Sequence, residues 1–250
     1  MLPKALIICL WNVLYCDRAR QERTQRAAAR LSTLLQEAGI AAEPAAVQAI
    51  CERLVAGARA EELAVACPPL VQRVMDLSRE CNLPIPSQVA AVFARKAAQE
   101  AVNFAPPAPF PEAFKMLQKL AGHYALVLVA NTTLPGGAGL REVLDGDHLL
   151  QFFRAAAFSD EIGVGLPDPK PFRMALDWLG LEARDVWVVA GDMHLDILPA
   201  RALRLPIIMV ARPTLGADAV TSSSTSDVPI ISPVESVPDL AALARRLKAD

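Results

Sequence analysis

Ala5–Leu10, ALIICL, is an unbroken apolar run that contains neither glycine nor proline and starts right after Pro3-Lys4. It is too short for a buried helix and has no polar alternation, which is the pattern of a strand buried on both faces. Runs of the same kind return at Tyr124–Ala130 (YALVLVA), Val186–Ala190 (VWVVA) and Pro206–Val210 (PIIMV), with a shorter one ending Phe152–Phe158. A strand without a polar face must be covered on both sides. Between these runs the period becomes helical, over Pro111–Ala121, around Leu140–Val143, over Lys170–Leu179 with Gly180 as its stop, and over Asp196–Leu203. Strands alternating with helices form parallel βαβ units, so the expected fold class is α/β with a doubly wound parallel sheet. Ile230-Ile231 is expected as a short edge strand and Val237–Lys248 as the closing helix, after a Ser/Thr-rich loop at Ala217–Asp227.

Asp17 to Ala105 carries no strand pattern. Helices are expected from Arg18 to Ala38, stopped by Gly39; from Pro44 to about Ala58; in a short piece at Ala60–Ala66; from Leu70 to Glu80; and from an N-cap at Ser87 to Val102. The chain returns through the proline-stiffened Ala105-Pro106-Pro107-Ala108-Pro109. The reading is a helical cap, 17–105, inserted into an α/β core made of 1–16 and 106–250. A chain of 250 residues is long enough for both.

A net charge of -2 gives no global pull toward nucleic acid or an anionic membrane. No stretch reaches the roughly 18 apolar residues of a membrane span. Trp11-Asn12 interrupts the apolar start, and no small-residue cleavage pattern follows it. The five cysteines, Cys9, Cys16, Cys51, Cys67 and Cys81, form no Cys-x-x-Cys pair, the usage of reduced thiols in the cytoplasm. The hydrophobic fraction of 53% and mean hydropathy of +0.30 reflect alanine-rich helices, and also suggest a surface covered by a protein partner or a second copy. Arg18, Arg20, Arg23, Arg26 and Arg30 are expected to form a solvated helix face.

The segments at the ends of the expected strands carry the chemistry. They read Cys9-Leu10-Trp11-Asn12-Val13-Leu14, Val129-Ala130-Asn131-Thr132, Ser159-Asp160-Glu161-Ile162-Gly163-Val164-Gly165-Leu166-Pro167-Asp168-Pro169 and Ala190-Gly191-Asp192-Met193-His194-Leu195-Asp196-Ile197. In order and spacing they resemble the motifs of the haloacid dehalogenase (HAD) superfamily of hydrolases, in the subgroup with a helical cap after the first motif. The resemblance implies a HAD-like Rossmannoid core. It also implies a first-strand Asp that attacks phosphorus or carbon, a second Asp two residues on as acid and base, a hydroxyl residue ending the second strand, a charge-balancing Lys, and acids that hold Mg²⁺.

Against that pattern, Cys9 stands at the nucleophile position, Trp11 at the acid–base position, Ala130 at the hydroxyl position and Leu166 at the lysine position, while Asn131, Asp192 and Asp196 match. The replacements all run from polar toward apolar. A buried lysine without its carboxylates is costly, so losing the charges together avoids an unpaired ion, and the Trp11 ring can fill the vacated space. The expectation is therefore a HAD-like pseudoenzyme, a non-catalytic binding, scaffolding or regulatory protein with no catalytic residues and no cofactor. Asp192 and Asp196 would then be vestigial metal candidates that cap a helix. One alternative is a divergent hydrolase, phosphatase-like or dehalogenase-like, that uses Cys9 or Asp192, and Mg²⁺ enters only under that reading. Another is a small-molecule binding module, with ligand held in the cleft between cap and core. Cys9 needs a cationic neighbour to ionise, and Lys170 is expected to face away. His194 is expected at the surface, Trp178 and Trp187 in the core, and Gly136-Gly137-Ala138-Gly139 in a loop.

Overall fold

A computed structural model describes residues 2–16, 19–56, 66–103, 108–210, 234–237 and 240–247. The apolar run forms β1, Ala5–Cys9, every residue of it buried. The chain then makes a tight turn: the amides of Leu14 and Tyr15 both donate to the Leu10 carbonyl, and β2, Tyr15–Cys16, leads out of the sheet. Among the described residues four helices follow, α1 Arg20–Glu37, α2 Pro44–Ala56, α3 Leu70–Glu80 and α4 Ser87–Gln99. The return strand β3, Ala108–Pro109, pairs antiparallel with β2, so the outgoing and incoming strands are zipped together.

The rest alternates. α5 Ala113–Ala121 precedes β4 Ala125–Ala130, α6 Gly136–Gly146 precedes β5 Ala155–Phe158, and the short α7 Ser159–Ile162 and α8 Lys170–Leu179 precede β6 Val186–Ala190. Then come α9 Ile197–Ala202, β7 Ile207–Val210, β8 Val234–Val237 and α10 Leu240–Leu247. Among the described residues the main sheet has six strands in the order β5-β4-β1-β6-β7-β8, with every pair parallel. From β1 the chain builds one side through β4 and β5, then crosses to build the other through β6. The crossover leaves a crevice at the carboxyl ends of β1 and β6, where open α/β sheets bind ligands.

The α/β class with an inserted helical cap is what the structure shows. Two apolar clusters hold it together. One surrounds the sheet and includes Ile7, Val127 and Val188; the other lies among α1–α4 and includes Leu31, Ile50, Val74 and Phe93. Leu134, from the loop after β4, is buried in the second cluster, and its amide donates to the Leu54 carbonyl of α2.

Several local expectations are corrected. Gly136-Gly137-Ala138-Gly139 is the first turn of α6 and not a loop. Its glycines are there for closeness: a Cβ on Gly136, which also has φ +79°, would lie 2.9 Å from an Asp160 oxygen. Ser87 is the first residue of α4 and makes no capping bond, because Pro86 already occupies the cap position. Trp178 is 46% exposed and is not core, whereas Trp187 packs on the core beneath the Arg246 guanidinium, 5.3 Å from its ring centre. Val237 ends a strand instead of starting the last helix. Arg23 is buried and Arg30 forms a bidentate pair with Glu100 at 2.7 Å, so the arginine face of α1 is only partly solvated. Ile230-Ile231, Ala217–Asp227 and most of Ala60–Ala66 lie outside the described residues.

Candidate active site

At the crossover the residues that follow β1, β4 and β6 meet, and the loop after β5 joins them through Leu166. β1 delivers Cys9, which is 2% exposed. Burial first, and then the negative charges of Asp196 and Asp192, push its thiol well above the ordinary range, and it shares a hydrogen bond with Asp196. Cys9 is therefore a neutral thiol near pH 7 and a poor nucleophile. Lys170, the nearest lysine in the third motif, is exposed at the start of α8, in keeping with the expectation that it faces away.

Trp11 is half-buried against the core, and its indole Nε1–H donates to the Asn131 carbonyl at 2.8 Å. Asn12 takes φ +63°, in the left-handed region asparagine tolerates, and its side-chain amide donates to the Gly191 carbonyl at 3.3 Å. Gly191 has no alternative, since a Cβ there would overlap the Trp11 carbonyl oxygen. The turns after β1 and β6 are thus in direct backbone contact across the crevice.

Ala130 is buried at the end of β4 and offers no polar group. Asn131 fixes a loop distant from it in sequence. Its Nδ2 donates to the Leu166 carbonyl and its Oδ1 accepts from the Leu166 amide, both at 2.7 Å. Leu166 itself is buried in the main cluster. A polar trio missed in the sequence sits beside this clamp. Ser159 Oγ accepts from the Thr132 amide at 2.8 Å, lies 3.0 Å from Thr132 Oγ1 and 3.1 Å from the thiol of Cys67. Cys67 arrives from the cap, and its amide donates to the Gly163 carbonyl at 3.0 Å. Thr132 and Ser159 stand inside the motifs and were legible as neighbours, whereas nothing in the sequence around Cys67 announces the contact.

The turn after β6 keeps its carboxylates. Asp192 is half-buried; its Oδ1 accepts from the amides of His194 and Leu195, both at 2.8 Å. Its Oδ2 takes no hydrogen bond among the described residues. Asp196 is 4% exposed, and its Oδ2 accepts from the amides of Gly191 and Asp192 at 2.8 and 2.9 Å. Burial drives its carboxyl up to about 7 against those amides and the Cys9 hydrogen bond, which pull down, and the Asp192 charge adds to the rise. The expected helix-capping role is corrected: Asp196 stands at the start of α9 but makes no side-chain capping bond to it, and both acids instead brace the loop before the helix, through the amides of Gly191, Asp192, His194 and Leu195. His194 is half-buried.

Magnesium prefers several hard oxygens at fixed positions. The turn after β1 brings sulfur and indole instead, Asp196 is committed to amides and to Cys9, and Asp192 keeps one oxygen without a hydrogen bond among the described residues. Among the described residues no three His, Cys, Asp or Glu side chains converge on a metal position. This donor set does not fit a chelated magnesium ion.

No protein-family model matches the chain. By sequence it is 28% identical over 179 residues to a phosphoglycolate phosphatase of Cupriavidus necator, covering 68% of this chain and 75% of that one. It is 31% identical over 102 residues to a phosphoglycolate phosphatase of Rhodospirillum rubrum, 41% of each chain. Among solved structures it superposes on a 2-haloacid dehalogenase of Pseudomonas syringae with a TM-score of 0.61 and 20% identity over 99% of each chain. A HAD-hydrolase of Bacillus subtilis, solved bound to magnesium, gives a TM-score of 0.57 at 15% identity, again over 99% of each.

The chain has the fold of haloacid dehalogenase-type proteins, an α/β core with an inserted helical cap, and its sequence is similar to that of phosphoglycolate phosphatases. The same relatives overturn the expectation of a non-catalytic scaffold or regulator, because the proteins it matches by sequence are phosphatases. The physical reason for the error is that the losses at β1, β4 and the third motif were weighed as one unit. The turn after β6 is separately built, and its carboxylates survive those losses.

Proposed function

We propose that the chain is a divergent HAD-type hydrolase of small phosphorylated acids, with Asp192 as its working carboxylate. Of the residues considered for a rebuilt site, Cys9 is disfavoured by burial and by its raised pKa. Asp192 is half-buried at the switch point, is oriented by the His194 and Leu195 amides, and keeps one oxygen uncommitted. That oxygen is the single observation carrying the reading. In this reading it takes a proton from a water whose oxygen bonds to the phosphorus, the ester P–O bond breaks, and the carboxyl returns the proton to the leaving oxygen, general acid–base work that contributes about 10²–10⁴-fold. Asp196 keeps the turn in shape beneath it, and Trp11 walls the opposite side. No step of this proposal is routed through a metal ion.

The choice of phosphate over halide as leaving chemistry rests on the sequence relatives, which are phosphoglycolate phosphatases. No helix among the described residues is long and apolar enough to cross a membrane. Five unpaired cysteines suit a reducing cytoplasm. The division into a core of 1–16 and 106–250 and a cap of 17–105 belongs to the same proposal.

The test is turnover of phosphoglycolate and of p-nitrophenyl phosphate, with added Mg²⁺ and with EDTA. Slow turnover that survives EDTA, is lost in Asp192→Asn and changes less than about threefold in Cys9→Ala supports the proposal. Absence of turnover above a buffer control, or loss in Cys9→Ala with Asp192→Asn unaffected, overturns it.

A further inference from the structure

Among the described residues, an open cleft lies away from Cys9. A cavity of about 540 Å³ lies between α3 and α4 of the cap and the start of α6, at the end of the sheet where β5 is the edge strand. Its volume is that of a small-molecule site. None of Cys9, Trp11, Asn131, Leu166 or Asp192 lines it.

Its lining combines three kinds of group. Leu70, Val71 and Pro135 supply an apolar floor; Arg95 and Gln99 lie one helical turn apart on α4; Glu142 and Asp160 come from the core. Among the described residues, Arg95 and Glu142 make no ion pair and no side-chain hydrogen bond, with each other or with anything else. Opposite charges that share a cleft without meeting across it leave both ends available to a ligand. Asp160 is held in place by the Gly137 amide, which donates to both its oxygens at 3.0–3.1 Å.

We infer that this cleft binds a zwitterion with an apolar body, of the size and type of an apolar dipeptide. The ligand carboxylate would pair with Arg95, in the planar geometry guanidinium favours. Its ammonium would lie toward Glu142 and Asp160, its amide bond within reach of Gln99, and its side chains on Leu70 and Pro135. The cleft spans cap and core, so a bound dipeptide holds the cap against α6. This site is separate from the proposed hydrolytic one, and its test reads binding alone.

The experiment is calorimetric titration of the full chain with leucyl-leucine, with N-acetyl-leucyl-leucine, which lacks the ammonium, and with leucyl-leucinamide, which lacks the carboxylate. Saturable binding of the free dipeptide is expected, weakened about tenfold or more by either cap. Arg95→Ala should remove the penalty of the amide cap alone, and Glu142→Gln that of the acetyl cap alone. Both side chains are exposed, and an unchanged melting temperature without ligand confirms that the variants fold. No saturable binding below roughly 10 mM, or equal binding of the capped and free dipeptides, overturns the inference.

Discussion

The carboxyl ends of β1 and β6 are neighbours in the sheet and are built on opposite terms. After β1 come a buried thiol at Cys9 and an indole at Trp11; after β6 come two carboxylates, Asp192 and Asp196. The two turns touch, through Asn12 and the Gly191 carbonyl and through the close approach of Gly191 to the Trp11 backbone. They differ in what their side chains do for the backbone. Asp192 and Asp196 together accept from the amides of Gly191, Asp192, His194 and Leu195. Removing either acid would leave buried N–H groups without partners, at about 1–3 kcal/mol each. Neither Cys9 nor Trp11 caps its own turn, whose bonds run from the Leu14 and Tyr15 amides to the Leu10 carbonyl. Where a charge also holds the fold it stays, and where it would serve chemistry alone the position can turn apolar without unfolding the turn.

The sharpest way to break this contrast is Asp192→Asn. The amide oxygen still accepts from His194 and Leu195, so the turn survives. The basic oxygen is gone, and the expected loss is about 10²–10⁴ in kcat with little change in melting temperature. A large drop in stability with unchanged kcat would show that Asp192 is a cap and nothing more.

Next in size is Asn131→Ala. It removes both halves of the clamp on Leu166 and leaves a buried amide and a buried carbonyl unpaired. A destabilisation of about 2–4 kcal/mol is expected in urea unfolding. A value under about 0.5 kcal/mol would mean that the loop after β5 is held by the cap contact at Cys67 instead.

Asp196 adds a pH signature on the β6 side. Its folded carboxyl sits near 7, against an ordinary value of 3.8. Between those limits the folded chain holds a proton that the unfolded chain releases. Its contribution is therefore complete below pH 4 and declines as pH rises through 7, by at most about 1.4 kcal/mol per pH unit. Stability measured from pH 4.5 to 7.5 should fall more steeply for the parent than for Asp196→Asn, which keeps an acceptor for the amides and cannot titrate. Identical slopes would show that Asp196 does not hold this proton.

Much of this was legible before any coordinates. β6 and α8 fall at the expected residues, and β1 falls one residue short at Cys9, because buried parallel strands are apolar runs and Gly180 marks a helix end by its φ of +62°. The positions of the site residues were legible too, since the motif frame sets Cys9, Trp11, Asn131, Asp192 and Asp196 at or after the ends of β1, β4 and β6, and Leu166 in the loop that follows β5 and α7. What the side chains hold was not. Asn131 reaches 35 residues along the chain to Leu166, and Cys67 reaches 92 to Ser159. Such partners are chosen by the packing of cap on core, which no local pattern encodes. The glycines of α6 misled for a related reason: they read as a loop by propensity, but the helix needs them for its close approach to Asp160 and Phe158.

The smallest expected effect lies on the β1 side and completes the comparison. Trp11→Phe keeps most of the ring against the core but deletes the Nε1–H that donates to the Asn131 carbonyl. That oxygen belongs to the residue whose side chain clamps Leu166, so the bond ties the β1 turn to the same loop through backbone alone. A neutral hydrogen bond at a half-buried site is worth about 1 kcal/mol, and the denaturation midpoint should shift by that much. If Trp11 is only a wall, kcat for phosphoglycolate stays within about threefold of the parent, because no proton or charge at the reacting atoms depends on the indole. A loss in kcat comparable to that of Asp192→Asn would make the indole N–H a participant, and the division of labour between the two turns would have to be redrawn.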